Sequence, residues 1–305
     1  MYDIVIVGGG PAGFTAALYA ARAKLDILLI EKMISGGQMA TTYLMENFPG
    51  FEEPISGPDL ALRMENQARR FGAHIINDAV TELVLDKQIK VIKTPENTFR
   101  SKAIILSMGA RPRELGLPNE KKLRGSGVSY CATCDGAFFK DRVVAVVGGG
   151  DTAAEDAIYL TRFCPKVYLI HRRDSLRATK ILQEAIFDNK KIEIIWDSAV
   201  EEIKGGFGVE GIKVRNLKTN ETQELSVEGM FVAIGVLPNT GLVKGKVELN
   251  QAGYVIADDN MLTNIFGVYA AGDIREKVLR QVITAASDGA VAAYMAERYI
   301  YENKW

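Results

Sequence analysis

The sequence predicts an α/β fold of two three-layer units, each a parallel sheet between helices, with the second unit inserted into the first. Three observations predict it. The segment Tyr2-Asp3-Ile4-Val5-Ile6-Val7-Gly8-Gly9-Gly10 is echoed by Asp141-Arg142-Val143-Val144-Ala145-Val146-Val147-Gly148-Gly149-Gly150. Each copy is a β-branched apolar run that ends in glycines and opens an Ala-rich helix pattern, so strand, tight turn and helix occur twice. A later strand and turn, Val268-Tyr269-Ala270-Ala271-Gly272-Asp273, has no glycine loop of its own and must complete an earlier unit.

The elements follow in order. Helices are expected from about Ala12 to Ala23 and from about Thr152 to Phe163. Second strands are expected over Asp26 to Ile30 and Lys166 to Ile170. Later strands run from Ala103 to Leu106, leading to Gly109 and Pro112, and from Met230 to Ala233, leading to Gly235 and Pro238. A long helix rich in small residues closes the chain from about Arg280 to Tyr299. Assigning the 268–273 segment to the first unit makes that unit discontinuous, 1–114 with 244–305, around an inserted unit at 115–243. The crossings near Pro112 to Leu117 and Pro238 to Lys246 are rich in Pro, Gly or charge, as linkers are. Two passages of chain at one place suit a hinge.

Totals narrow the function. The 305 residues are 48% hydrophobic and 25% charged, the balance of a soluble globular protein. With 37 basic and 38 acidic residues, the net charge of −1 gives no electrostatic reason to expect nucleic acid or an anionic membrane as partner. The apolar run Ile4 to Val7 is too short for a signal peptide, and no stretch approaches the roughly 20 apolar residues that span a bilayer. Only Cys131, Cys134 and Cys164 occur, so no disulfide framework holds the fold. The chain reads as cytoplasmic, where a close dithiol is catalytic rather than structural.

Both glycine loops read as dinucleotide sites. In the first, Gly8, Gly10 and Gly13 form G-x-G-x-x-G, with Glu31 ending the next strand. The glycines allow a tight turn and close approach to a pyrophosphate, and the carboxylate can accept hydrogen bonds from ribose hydroxyls. The second loop, Gly148, Gly150 and Ala153, is followed by a strand ending in His171-Arg172-Arg173, with Arg177 beyond and no acid in that place. A guanidinium pairs a 2′-phosphate that a carboxylate would repel, so this loop favours NADPH over NADH.

The dithiol Cys131-Ala132-Thr133-Cys134 precedes that second loop. Zinc needs about four ligands, and beyond this pair the chain offers only Cys164, His74 and His171, so no metal site is expected. A static disulfide across so short a loop constrains the unfolded chain little. Redox exchange remains, with one accessible cysteine and one that resolves the mixed disulfide. Asp135 follows directly, and the residues alone leave it either a proton donor and acceptor or a turn cap. Cys164, at a helix end, is read as a packing residue.

Taken in order, Gly8-Gly9-Gly10-Pro11-Ala12-Gly13, Gly36-Gly37-Gln38, Glu46-Asn47-Phe48-Pro49-Gly50 and Cys131-Ala132-Thr133-Cys134-Asp135-Gly136 closely resemble the low-molecular-weight, bacterial-type thioredoxin reductases. Gly148-Gly149-Gly150-Asp151-Thr152-Ala153, His171-Arg172-Arg173-Asp174, Ala271-Gly272-Asp273 and Arg280-Gln281 continue the match, which covers nearly the whole chain. The resemblance implies two Rossmann-like domains, the first binding FAD and the second, inserted, binding NADPH. For FAD it implies Gly8, Gly10, Pro11, Ala12, Gly13, Glu31, Gly37, Gln38, Asn47, Val80, Gly109, Asp273, Arg280, Gln281 and Val282, with Asp273 near the ribityl chain. For NADPH it implies Gly149, Gly150, Asp151, Thr152, Ala153, His171, Arg172, Arg173, Arg177 and Gly235. It further implies that Cys134 faces the flavin, that Cys131 attacks the partner protein, and that Asp135 is the acid–base residue. Family members are homodimers that reduce thioredoxin. One departure is Met108, where many relatives carry Thr.

The expected activity is therefore NADPH-dependent reduction of a disulfide in thioredoxin or a thioredoxin-like small protein. A different disulfide acceptor, or a redox sensor without turnover, are the rival readings. Since dithiol and nicotinamide must both reach one flavin, and the dithiol must also reach a protein, rotation of the inserted unit about the crossings is expected.

Overall fold

In the computed structural model the described residues are 1–32, 35–42 and 45–303. Among them are six α-helices: α1 (Pro11–Arg22), α2 (Gly57–Arg70), α3 (Ala132–Asp135), α4 (Asp151–Leu160), α5 (Lys180–Phe187) and α6 (Val282–Glu302). The chain divides into two units, residues 1–111 with 237–305, and residues 112–236.

In the first unit the parallel strands lie in the order His74–Asn77, Ile27–Glu31, Tyr2–Val7, Thr98–Leu106 and Val268–Ala270. Alternation along these strands buries both faces, as a parallel sheet covered on two sides requires. Ile4, Ile6, Ile27, Leu29 and Ile105 face α1 and α6. Val5, Val7, Leu28, Ile30, Ile104 and Leu106 face the other way, onto Val243, Val247 and Val255. The last strand to be made in the chain thus completes the first unit. A hairpin of Glu82–Val84 and Lys90–Lys93 extends the sheet antiparallel along the start of Thr98–Leu106.

The second unit repeats the order with Ile192–Ile195, Lys166–Ile170, Val143–Gly148, Gly229–Ala233 and Val128–Ser129, all parallel. Its fifth, edge strand comes before its first in the chain. A separate antiparallel sheet of Ser198–Lys204, Gly211–Asn216 and Thr222–Leu225 packs Val200, Ile203 and Ile212 onto Val147 and Val232. Neither this meander nor the hairpin of the first unit is foreseen by the sequence reading, because their short, charged strands carry no glycine motif.

The chain passes between units at Arg111–Pro112 and Val236–Leu237. Both passages lie ahead of the 114/115 and 243/244 boundaries expected from the sequence. Residues 115–117 are tied into the second unit by Glu120, whose carboxylate accepts from the Leu115, Gly116 and Leu117 N–H groups. Val243 and Val247 already belong to the core of the first unit. The two passages pair with each other as a two-stranded sheet of Ala110–Pro112 and Val236–Pro238. Helix ends also shift by small amounts. α4 stops at Leu160, before Pro165, while α6 starts at Val282 because Gln281 is its extended N-cap, with its N–H donating to Thr284 Oγ1 at 3.2 Å.

Candidate active site

In the first unit the turn after Tyr2–Val7 delivers Gly10, extended, as the N-cap of α1. Pro11 takes the first helical position, where its missing N–H costs nothing. Gly13 cannot be replaced, since a Cβ there would stand 1.9 Å from Gly8 O. Gly10 meets nothing within 4 Å of its own added Cβ. The result is an open cradle at a helix N-terminus, with backbone N–H groups suited to a phosphate. Gly36 N–H donates to Gly9 O at 2.7 Å, and Gly37 lies against Gly10, which sets exposed Gln38 beside the cradle. Ala12 is buried beneath it.

Glu31 ends its strand and accepts a hydrogen bond from Gly9 N–H. Beside Glu31 is a cavity of about 180 Å³, lined also by Arg69, Ile76 and Asn77. These three sit on elements that carry no nucleotide motif, so nothing in the sequence marks them. Val80 is half-buried against the sheet face that holds Val5 and Ile30. Gly109, at φ 63°, accepts from Asn239 N–H at 3.0 Å beyond the end of Thr98–Leu106.

The far side of this cradle is built by the last strand and α6. Asp273 follows Gly272 at the end of Val268–Ala270, and its buried Oδ1 has no hydrogen-bond partner among the described residues. Burial raises its carboxyl above the usual range, against the opposing pull of Lys277 and Arg280. Asn47 Nδ2 donates to Gln281 Oε1 at 3.1 Å, bringing together two expected residues 234 apart in the chain. Arg280 lies 4.2 Å over the Tyr254 ring, and its buried Nε is unpartnered among the described residues. Val282 opens α6. An open glycine cradle, an orphaned carboxylate oxygen and an orphaned guanidinium N–H fit a ligand with phosphate, hydroxyl and carbonyl groups, as a flavin dinucleotide has.

The second unit holds an independent cradle. Gly150, again extended and with nothing within 4 Å of an added Cβ, is the N-cap of α4. A Cβ on Gly149 would stand 2.2 Å from the His171 ring. His171 is 5% exposed, its Nε2 meets Ser175 O at 3.1 Å, and burial lowers its pKa, so the neutral ring is a wall of the turn. Ala153 is buried against Gly148, Thr152 is exposed in the first turn of α4, and Asp151 accepts from Thr179 N–H at 2.7 Å. Arg177 N–H donates to Gly149 O at 2.7 Å, which fixes its loop to the cradle. Arg172, Arg173 and Arg177 are exposed, and no carboxylate among the described residues pairs with them. Asp174, the one acid in this turn, is held by Lys218 at 3.2 Å. Gly235, at φ 112°, closes the strand Gly229–Ala233 and accepts from Arg113 N–H at 2.9 Å.

The dithiol follows the edge strand Val128–Ser129. Cys131 is the N-cap of α3 and is disulfide-bonded to Cys134, with Cα atoms 5.3 Å apart, an ordinary separation for the bond. Cys131 Sγ is 3.3 Å from Thr133 Oγ1. Asp135 accepts from Ser129 Oγ at 2.6 Å, and that same hydroxyl accepts from Cys131 N–H at 3.1 Å. Burial pushes the Asp135 carboxyl up, with the Ser129 hydrogen bond opposing. Ser129 is a further residue without a signal in the sequence: it joins the acid to the dithiol backbone, yet nothing in Val128-Ser129-Tyr130 marks it. Glu120, 1% exposed, ties Tyr130 OH at 2.8 Å, and burial with that bond drives the phenol pKa up. Cys164 is buried, its thiol pushed up to about 11, hence inert. No cluster of potential metal ligands occurs among the described residues, and no helix there is long and apolar enough to cross a membrane.

Residues 2–289 match the family described as pyridine nucleotide-disulphide oxidoreductase. A thioredoxin reductase of Peptoclostridium acidaminophilum is 51% identical, across 99% of this chain and 98% of its own length. One from Bacillus subtilis is 46% identical, across 99% and 96%. A crystal structure of thioredoxin reductase from Streptococcus pyogenes superposes with a TM-score of 0.94 at 45% identity, covering 99% of both chains. The expected α/β fold with two nucleotide-binding units is borne out by this likeness.

Proposed function

Because the chain belongs to the pyridine nucleotide-disulphide oxidoreductases, which work with a flavin and a pyridine nucleotide, we propose that it is an NADPH-dependent, FAD-containing reductase of oxidised thioredoxin or a thioredoxin-like small protein. The observation that carries this reading is the Cys131–Cys134 disulfide, with a half-buried acid at Asp135, in the same unit as a cradle flanked by three unpaired guanidiniums. High identity to proteins named thioredoxin reductase over the full chain supports it.

The first unit's cradle, Glu31, Asp273, Gln281 and Arg280 hold FAD, which when bound supplies two-electron exchange with a nicotinamide and with a dithiol. The residues of the second unit do the rest. Gly150 and the α4 N-terminus bind pyrophosphate, and Arg172 and Arg177 grip the 2′-phosphate. In the reduced dithiol the Cys131 thiolate attacks one sulfur of the partner's disulfide, forming a mixed disulfide and releasing one partner thiolate. Cys134, giving its proton to Asp135, then attacks Cys131 Sγ, which re-forms the Cys131–Cys134 bond and releases the second thiolate. Asp135 returns its proton to a leaving thiolate, and solvent supplies the other. The family resemblance and near-neutral charge support a cytoplasmic homodimer that needs neither nucleic acid nor membrane.

NADPH oxidation by the purified protein tests this. Turnover is expected only with oxidised thioredoxin present, and Cys131→Ser should abolish it. Replacing Arg172 or Arg177 by Ala should weaken NADPH use by about tenfold or more, from ~1.5–3 kcal/mol per charged hydrogen bond, and leave NADH use unchanged. Turnover of thioredoxin by Cys131→Ser would defeat the proposal.

A further inference from the structure

Two neighbouring aspartates are treated very differently by their surroundings. Asp288, on α6, is 7% exposed. Its Oδ2 accepts from Gly272 N–H at 3.0 Å, from Lys277 Nζ at 2.8 Å and from Arg275 Nη1 at 3.4 Å. Asp273, next to Gly272 in the same turn, keeps a buried Oδ1 with no partner among the described residues. Asp273 and Asp288 thus lie with Lys277 and Arg275 in a mostly water-excluded turn, with Arg280 also in electrostatic reach of Asp273. Asp288 takes hydrogen bonds from both Lys277 and Arg275.

Lys277 is within electrostatic reach of Asp273, being the largest influence that opposes the effect of burial on that carboxyl. Its side chain is 8% exposed, so it has little water to turn to if Asp288 releases it. Asp273 is the acid of this turn whose carboxyl already feels the Lys277 charge. An ammonium seated there would occupy the oxygen that a ligand hydroxyl needs.

We propose that Asp288 is a positioning residue that draws Lys277 and Arg275 onto itself and so keeps Asp273 Oδ1 open for a hydroxyl of a polyhydroxylated cofactor chain. The inference rests on the reading that the first unit binds FAD, and it adds what makes the Asp273 acceptor available. The Gly272 N–H bond serves the same end by fixing the turn that carries Asp273 to the first third of α6.

Flavin retention by the full-length purified protein tests the idea, read as free-flavin fluorescence after serial dilution, with melting curves to show that each variant is folded. Asp288→Asn keeps an acceptor for Gly272 but loses the charge, and should release FAD at least tenfold more readily than wild type. Adding Lys277→Met should restore retention to within threefold, because the competing ammonium is gone. A merely structural Asp288 predicts the reverse, since the double variant removes a further partner. Wild-type retention by Asp288→Asn, or no recovery in the double variant, overturns the proposal. Should Asp288→Asn not fold, Lys277→Met alone decides: it should hold FAD as tightly as wild type, and a loss beyond threefold would mean that Lys277 helps to bind. Wild-type protein without FAD would instead overturn the cofactor reading, before any substitution is compared.

Discussion

At the scale of single residues, Asp135 carries the clearest consequence. Its carboxyl is raised by burial, so the folded protein binds that proton more tightly than the unfolded chain does. The sign follows: stability falls as pH rises from the ordinary aspartate range, near 4, through the raised folded value, and the cost persists above it. Asp135→Asn should therefore raise the melting temperature at pH 8, with no gain near pH 3. The same variant should lose thioredoxin turnover by about 10²-fold or more, the usual worth of general acid–base catalysis. Melting curves at the two pH values and steady-state rates check both halves. Cys131, Cys134 and the loop glycines were legible because their chemistry demands those residue types at fixed spacing. Ser129 and Asp288 were not, since each acts through a contact made by the fold, Asp288 reaching Gly272 from sixteen positions away.

Among the elements, α1 and α6 show how small residues build a site. Gly289 lies so close to α1 that a Cβ would stand 2.1 Å from Ala12 O, and Gly272 meets Ala12 Cβ from the turn. Ala12 thus sits under both the cradle and α6. Gly289→Ala should force the helices apart, at about 1–3 kcal/mol for overpacking, lowering the melting temperature and loosening flavin together because Gln281 and Asp288 ride on α6. A melt that drops while flavin retention holds would separate packing from binding. The Ala-rich helices and the β-branched apolar strands that end in glycines were readable from pattern alone. α2 and the antiparallel additions were not, because their amphipathic or charged patterns resemble ordinary surface.

For the whole molecule, the proposed function sets the constraint that one flavin be served by two groups of the same unit. The dithiol and the second glycine cradle both belong to residues 112–236, and the first cradle, proposed for the flavin, does not. We expect rotation at the paired passages Ala110–Pro112 and Val236–Pro238. A covalent crosslink between the units should then permit at most a partial cycle and stop multiple turnover. Crosslinked protein that cycles at the uncrosslinked rate would remove the need for motion.

The fifth strand of each sheet holds a last lesson. Val268–Ala270 ends in the turn of Asp273, and Val128–Ser129 ends in the dithiol, yet both fill the same slot beside the fourth strand. In one unit that slot leads to an acid with an unpartnered buried oxygen; in the other it leads to the cysteines. The redox pair is thus a fitting on the rim of a nucleotide reader, not part of its frame. A descendant that mislaid both thiols would keep the second cradle whole and be free to take up another trade.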